Sequence, residues 1–258
     1  FAMPFAVLLT ILLVLAIDRS VFRFYRLNKS RPVIFVVASV GVMFMLNGLV
    51  RMLIGTDEII FRDGQKFLIK AGQFKKMTGL NEGLALKQTQ VLTVVLAVVA
   101  VFLLFWFLQR TRTGKAMRAY SDNEDLALLS GISTERIVMV TWIIAASLAT
   151  IAGVLYGLDK SFKPIVYFHL LLPIFASAIV GGIGQPVGAI LGGYIVAFSE
   201  IIATYAFKKF ITYIVPANFA PEGLGQLLST EYKFAVSFLI LVLVLLVRPT
   251  GIFRGRVL

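Results

Sequence analysis

The chain has 258 residues, of which 59% are hydrophobic and 15% charged, and its mean hydropathy is +0.91. Lys and Arg outnumber Asp and Glu by 25 to 13, Cys is absent, and His169 is the single histidine. This excludes a soluble globule, whose hydrophobic share is roughly 45–50%, as well as a disulfide framework and a multi-histidine or thiolate metal site. The net charge of +12 is read as basic flanks facing anionic headgroups. A nucleic-acid partner is not expected, because no aromatic-interleaved basic patch accompanies the charge.

A helix needs about 20 apolar residues to cross a hydrocarbon core of roughly 30 Å. Charge-free runs predict about seven spans, near Ala2–Ile17, Pro32–Ile54, Thr89–Leu108, Ile137–Gly157, Ile165–Val180, Val187–Ala206 and Phe234–Val247. The fold class is therefore all-α and polytopic, read as a single transmembrane domain over residues 1–258. The opening residues lack the basic start and small-residue cleavage site of a signal peptide. They are read as the start of a span inside a larger protein.

Seven spans place the two ends on opposite sides of the membrane. The two sets of loops carry nearly equal numbers of Lys and Arg, so the positive-inside rule barely orients the chain. The arginine-dense segments 18–31 and 248–258 tip the reading toward a cytoplasmic side that also holds the loop 109–136.

Between spans, the polar loop 55–86 is predicted to carry short structure of its own. In the loop 109–136, Ser121 and Glu124 form an S-x-x-E capping box, with Asp122, Glu124 and Asp125 in the first turn and Gly131 at the C-cap position. The expectation is a helix of about two and a half turns over 122–130, followed by one capped by Ser133 or Thr134. Gly181, Gly182, Gly184 and Pro186 mark a turn within an apolar region, either a tight hairpin or a re-entrant break. Gly153 with Gly157, and Gly188 with Gly192, have the GxxxG spacing that lets membrane helices approach closely. Pro216, Asn218, Pro221 and Gly223 make Phe210–Thr230 a surface-lying or re-entrant element rather than a span.

Polar groups inside the spans are few. Glu200 either lines a path or meets a second subunit, or bonds a neighbouring helix near a span end. Asn47 is read as an interhelical hydrogen bond or a path contact, His169 as an interfacial residue, and Arg51 as snorkelling to an interface.

The run Thr113-Gly114-Lys115-Ala116-Met117-Arg118-Ala119, followed by Asn123, Leu126-Ala127 and Gly131-Ile132, resembles the cytoplasmic loop of branched-chain amino-acid ABC-transporter permeases of the LivH-like type. Ala176–Gly184, continuing through Pro186 and Gly188 to Gly192-Gly193, resembles that family's glycine-rich hairpin. Arg248-Pro249-Thr250-Gly251-Ile252-Phe253 resembles its C-terminal signature. The three stretches stand in order across nearly the whole chain. The family's Asn-Phe-Ala-His-Gly motif after the first span does not occur here, so the chain is expected to lack an N-terminal portion that contributes to the substrate path.

The resemblance implies a non-enzymatic, multi-pass permease of the bacterial inner membrane, in a bilayer of lipid. It implies two ATP-binding cassette subunits that hydrolyse ATP, a second related permease and a periplasmic solute-binding protein, with no cofactor or metal on this chain. It makes 109–136 the coupling loop, with Gly114, Arg118, Asn123, Leu126, Ala127, Leu129 and Gly131 as its docking elements. Leu126 and Leu129 stand i, i+3 and can present one face to a groove, flanked by Arg112, Lys115 and Arg118.

Branched-chain amino acids are the implied cargo, and urea or short amides the alternative within the family. An ion-coupled carrier is the rival from another class, for which one Glu and one peripheral His make a thin relay. A channel shows no filter motif or charged ring. A membrane enzyme shows no paired carboxylates or nucleophile–base set.

Overall fold

The computed structural model describes residues 2–61, 67–70, 76, 85–205, 232–248 and 250–252. Helices dominate: α1 (Ala2–Leu27), α2 (Pro32–Ile54), α3 (Gln88–Arg110), α4 (Arg112–Asp122), α5 (Glu124–Leu129), α6 (Thr134–Asp159), α7 (Pro164–His169), α8 (Leu171–Gly181), α9 (Pro186–Thr204) and α10 (Lys233–Val247). Among the described residues six helical segments are long and apolar enough to cross a bilayer, α7 and α8 acting together as Pro164–Gly181. The seventh expected span, α10, has 15 residues, about 22 Å at 1.5 Å per residue. The expectation of about seven spans in an all-α chain is met to that extent. The segment Phe210–Thr230 lies outside the described residues.

These helices form where composition and boundary chemistry agree. Pro32 and Pro186 occupy the first helical turn, where the missing N–H has no helical partner to lose. Gly55 ends α2 at φ 91°, a conformation glycine adopts freely. Hydroxyls within spans return to their own backbone. Thr93, Ser147, Thr150 and Ser177 each donate to the carbonyl four residues earlier, at 2.6–2.8 Å, which satisfies them where lipid offers no partner.

The chain divides into two compact units, 1–163 and 164–258. In the first, α1 packs along α6, and Phe22, Ile137, Ala146 and Leu155 are buried. Gly157 of the first GxxxG pair is buried on α6. Within the loop 55–86, the described pieces include β1 (Phe67–Ile69) antiparallel to β2 (Leu86–Lys87). A bridge between Ile59 and Phe162 ties the same end of the unit. The short structure expected there is present in these pieces.

In the second unit α8, α9 and α10 pack around Ala176, Val180 and Val196, flanked by Ile240, Leu241 and Val244. The outer faces stay apolar. Val36, Val37, Phe44, Val94, Val98 and Phe102 are all exposed, as an aqueous surface rarely permits and lipid favours.

Candidate functional site

The loop between α3 and α6 is two helices rather than one. Thr111 caps α4: its Oγ1 accepts from the Gly114 amide at 3.0 Å and donates to the Phe107 carbonyl at 2.7 Å. Gly114 is buried against the end of α3, and a Cβ there would lie 2.3 Å from the Phe107 oxygen. Only glycine fits this fold-back of α4 onto α3. The next helix is capped by Asn123, whose Oδ1 accepts from the Leu126 amide at 3.0 Å. This corrects the expected capping box: Ser121 and Asp122 complete α4, and Glu124 instead accepts from the Tyr120 hydroxyl at 2.6 Å. An Asx cap prevails because Asn123 is extended, at φ −157°, whereas Ser121 is already helical. Burial and the bond to Glu124 hold the Tyr120 phenol above its ordinary pKa.

The six-residue helix α5 ends in a Schellman turn. Ile132 N–H donates to the Ala127 carbonyl and Gly131 N–H to the Leu128 carbonyl, both at 3.0 Å, with Gly131 at φ 80°. Gly131 thus stands at the predicted stop, but the helix is shorter than the two and a half turns expected. Ala127 is 4% exposed, while Leu126 and Leu129 are 61% and 85% exposed. Arg112, Lys115 and Arg118 are exposed on α4. The result is a small helix capped at both ends, anchored through Ala127 and offering two leucines outward.

At the base of this loop stands a polar node that the sequence reading missed. A π turn over Asp18–Phe22 interrupts α1. With its extra residue absorbed, positions eight apart share a side, as positions seven apart do in a regular helix. Arg26 therefore reaches back to Asp18 with two bonds, of 2.9 and 3.1 Å, and Trp142 Nε1 donates to the same carboxylate at 2.8 Å. Phe22 stacks on Trp142, and Arg23 pairs with Glu135 at 2.8 Å. Phe22, Arg26 and Trp142 border a cavity of about 420 Å³ with Met117 and Tyr120 of α4. The signal in the sequence was slight: an Asp directly after an uncharged apolar run, with an Arg eight residues on.

The glycine cluster forms a tight helical hairpin. Gly182 and Gly184 turn at φ 99° and 84° between α8 and α9. A Cβ on Gly181 would lie 2.1 Å from the Gly188 carbonyl oxygen, and one on Gly192 would lie 2.2 Å from that of Ser177. The backbones touch, as the GxxxG spacing predicts. The described part of the C-terminal signature docks here. Ile252 N–H donates to the Val180 carbonyl at 2.8 Å, and Gly251 sits against Gly182. Pro249 and Phe253 lie outside the described residues.

Glu200 is 5% exposed on α9; it accepts from the Ser237 hydroxyl and lies 3.4 Å from Lys233 Nζ. Its partners are on α10 of its own unit, the neighbouring-helix arrangement considered from the sequence. Asn47 is half-buried on α2, and its side chain makes no hydrogen bond among the described residues. His169 lies between the rings of Phe168 and Phe234, at 6.2 and 5.9 Å. Arg51 is exposed in the last turn of α2. No cluster of metal-ligating side chains occurs among the described residues.

Long apolar helices, hydroxyls turned back onto their own backbone and a glycine-tight hairpin define a multi-pass helical membrane protein. The chain belongs to the family described as branched-chain amino acid transport system / permease component, whose model matches residues 1–245. It is 29% identical over 238 residues to the high-affinity branched-chain amino acid transport system permease protein LivH of Escherichia coli K12, covering 92% of this chain and 68% of that protein. It is 32% identical over 171 residues to BraD of Pseudomonas aeruginosa, a permease protein of the same description, covering 66% of this chain and 49% of that one. A probable LivH of Methanocaldococcus jannaschii is 34% identical over 159 residues, covering 62% of this chain and 45% of that protein. No solved structure matches. The chain is thus a multi-pass transport permease of the bacterial inner-membrane type.

Proposed function

We propose that this chain is a membrane subunit of an ATP-driven importer of branched-chain aliphatic amino acids, and that α5 is the element through which partner ATPases move it. The observation that carries this reading is the exposure of Leu126 and Leu129, at 61% and 85%, on a helix whose two ends are both fixed by hydrogen bonds. A short rigid helix with an apolar outer face suits docking into a groove. Gly114, Asn123, Ala127 and Gly131 hold it in place, and Arg118 flanks it.

The chain performs no bond chemistry of its own and needs no cofactor. Two ATP-binding cassette subunits hydrolyse ATP, a second related permease completes the membrane path, and a periplasmic binding protein delivers the cargo. An ATPase that binds one arrangement of the permease more tightly than the other shifts the population between inward and outward openings. Branched-chain cargo follows from the names of the relatives, with urea and short amides as the alternative. Asn47 is assigned to the path or to a subunit contact. Glu200, bonded to Ser237 and paired with Lys233, fixes α9 against α10.

The test is uptake of radiolabelled leucine by proteoliposomes of the assembled transporter carrying Leu126→Asp with Leu129→Asp. Uptake is expected to vanish while membrane insertion is unchanged; wild-type uptake by the double variant refutes the coupling role. Leucine uptake that persists without ATP, on an ion gradient alone, refutes the ATP-driven reading.

A further inference from the structure

We infer that the π turn of α1 is a two-register switch, which the α4–α5 loop throws and which Asp18 holds in the register described. The inference rests on the ATP-driven reading above and names the element that carries motion from α5 into the membrane helices.

The turn is an insertion in an otherwise regular helix. Arg23 N–H donates to the Asp18 carbonyl five residues back, so the turn Asp18–Phe22 holds one residue more than an α turn. Each residue of a regular helix advances the chain by about 100° around its axis. If the turn relaxes to α geometry, Ala2–Ile17 rotates by about 100° relative to Arg23–Leu27, and Arg26 stands about 80° around the axis from Asp18. Their two bonds, at 2.9 and 3.1 Å, are aligned in the π register alone. A static brace has no need of the extra residue, since an Asp and an Arg seven apart in a regular helix align equally well.

Two groups of α6 hold the same register. Trp142 Nε1 donates to Asp18 at 2.8 Å, and its ring stacks on Phe22 with centroids 5.7 Å apart. Arg23, directly after the turn, pairs at 2.8 Å with Glu135 in the first turn of α6. Because α1 packs along α6, a change of register changes the face that α1 presents to it.

The loop reaches the turn from another side. Met117 and Tyr120 of α4 border the cavity of about 420 Å³ together with Phe22 and Arg26. Tyr120 donates to Glu124 of α5 at 2.6 Å, so α5 is tied to a residue of α4 that shares a cavity with Arg26. The open space leaves α4 room to approach or withdraw, as a close-packed contact would not. The turn is thus a two-state element that both the loop and the α1–α6 contact bias.

The test deletes Ser20, an exposed residue of the turn whose hydroxyl returns to the Ala16 carbonyl. Asp18 and Arg26 then stand seven apart in a regular helix, so their pair and the α1–α6 face are kept while the second register is lost. In proteoliposomes of the assembled transporter, leucine uptake is expected to fall about tenfold while ATP hydrolysis stays within about twofold, a split in the usual range of allosteric coupling. Wild-type uptake by the deletion variant overturns the switch. A second measurement uses the unaltered sequence. The permease is labelled with 5-fluorotryptophan before assembly, and the Trp142 fluorine resonance is assigned with Trp142→Phe. That resonance is expected to shift when a non-hydrolysable ATP analogue is added, and to stay fixed in the Ser20 deletion. A resonance that stays fixed in wild-type vesicles that import leucine overturns the switch and leaves the importer reading standing. A resonance that shifts in wild-type vesicles that import no leucine supports the switch and refutes the assigned cargo.

Discussion

Placing a methyl group on Gly188 tests the hairpin at its tightest point. Its Cβ would stand 2.1 Å from the Gly181 carbonyl oxygen, where ordinary contact begins at 3.4 Å, so the two helices must separate by about 1.3 Å. The obstacle is backbone, which cannot rotate aside as a side chain can. Overpacking of this kind costs about 1–3 kcal/mol. Gly193 is the matched control on the same helix, since a Cβ added there would meet nothing within 4 Å. There alanine gains roughly 0.5–1 kcal/mol of helix propensity. The same propensity gain applies at Gly188 on the same helix, so the two variants should differ by the overpacking cost alone, about 1–3 kcal/mol. At roughly 2–4 °C per kcal/mol for a chain of this size, that is a gap of about 2–12 °C in the midpoint of thermal unfolding. The assay is fluorescence-detected size exclusion after heating in detergent. Equal midpoints for Gly188→Ala and Gly193→Ala would show that the backbones of α8 and α9 do not touch as described.

Other perturbations probe the loop and its base. Asp18→Ala strands Arg26 and Trp142 and should lower stability by about 1–3 kcal/mol, the figure for a buried pair reduced because Arg26 is 24% exposed; Trp142→Phe keeps an aromatic face toward Phe22 but loses the bond to Asp18 and the smaller ring of the indole, and should cost about 1–3 kcal/mol. Both are read by the same heating assay. Gly131→Ala places a side chain at φ 80°, which costs about 1–2 kcal/mol locally and should lower uptake while leaving insertion intact. Ser237→Ala removes the hydroxyl donor from the buried Glu200 carboxylate and should destabilise by about 1–3 kcal/mol, whereas an Ala replacement of the exposed Ser199 should stay within about 0.5 kcal/mol.

The sequence made some features legible because they rest on local chemistry or on sheer length. Apolar run length located the spans, and the proline and glycine pattern located the hairpin and the Gly131 stop. The exact cap of α5 was not legible. Ser121 and Asn123 are both good capping residues, and the choice between them depends on Thr111 and Gly114 having already started α4. The Asp18 node was hidden because a π turn alters the spacing at which side chains align, and nothing in the composition announces such a turn. Lys87 at the start of α3 bonds Asp159 at the end of α6, residues far apart in the chain, so only packing reveals the pairing. Glu200 stood out as a charge in an apolar run, but its partner Ser237 is one hydroxyl among many.

The central claim is that α5 is a lever held on the cytoplasmic face for an ATPase to grasp. The chain has no cysteine, so Leu129→Cys carries a unique thiol. In right-side-out vesicles of the assembled transporter, a membrane-impermeant maleimide added outside should leave this thiol unlabelled, and a short bifunctional cross-linker should join it to the ATP-binding subunit. Labelling from outside, with no cross-link to that subunit, would contradict the account.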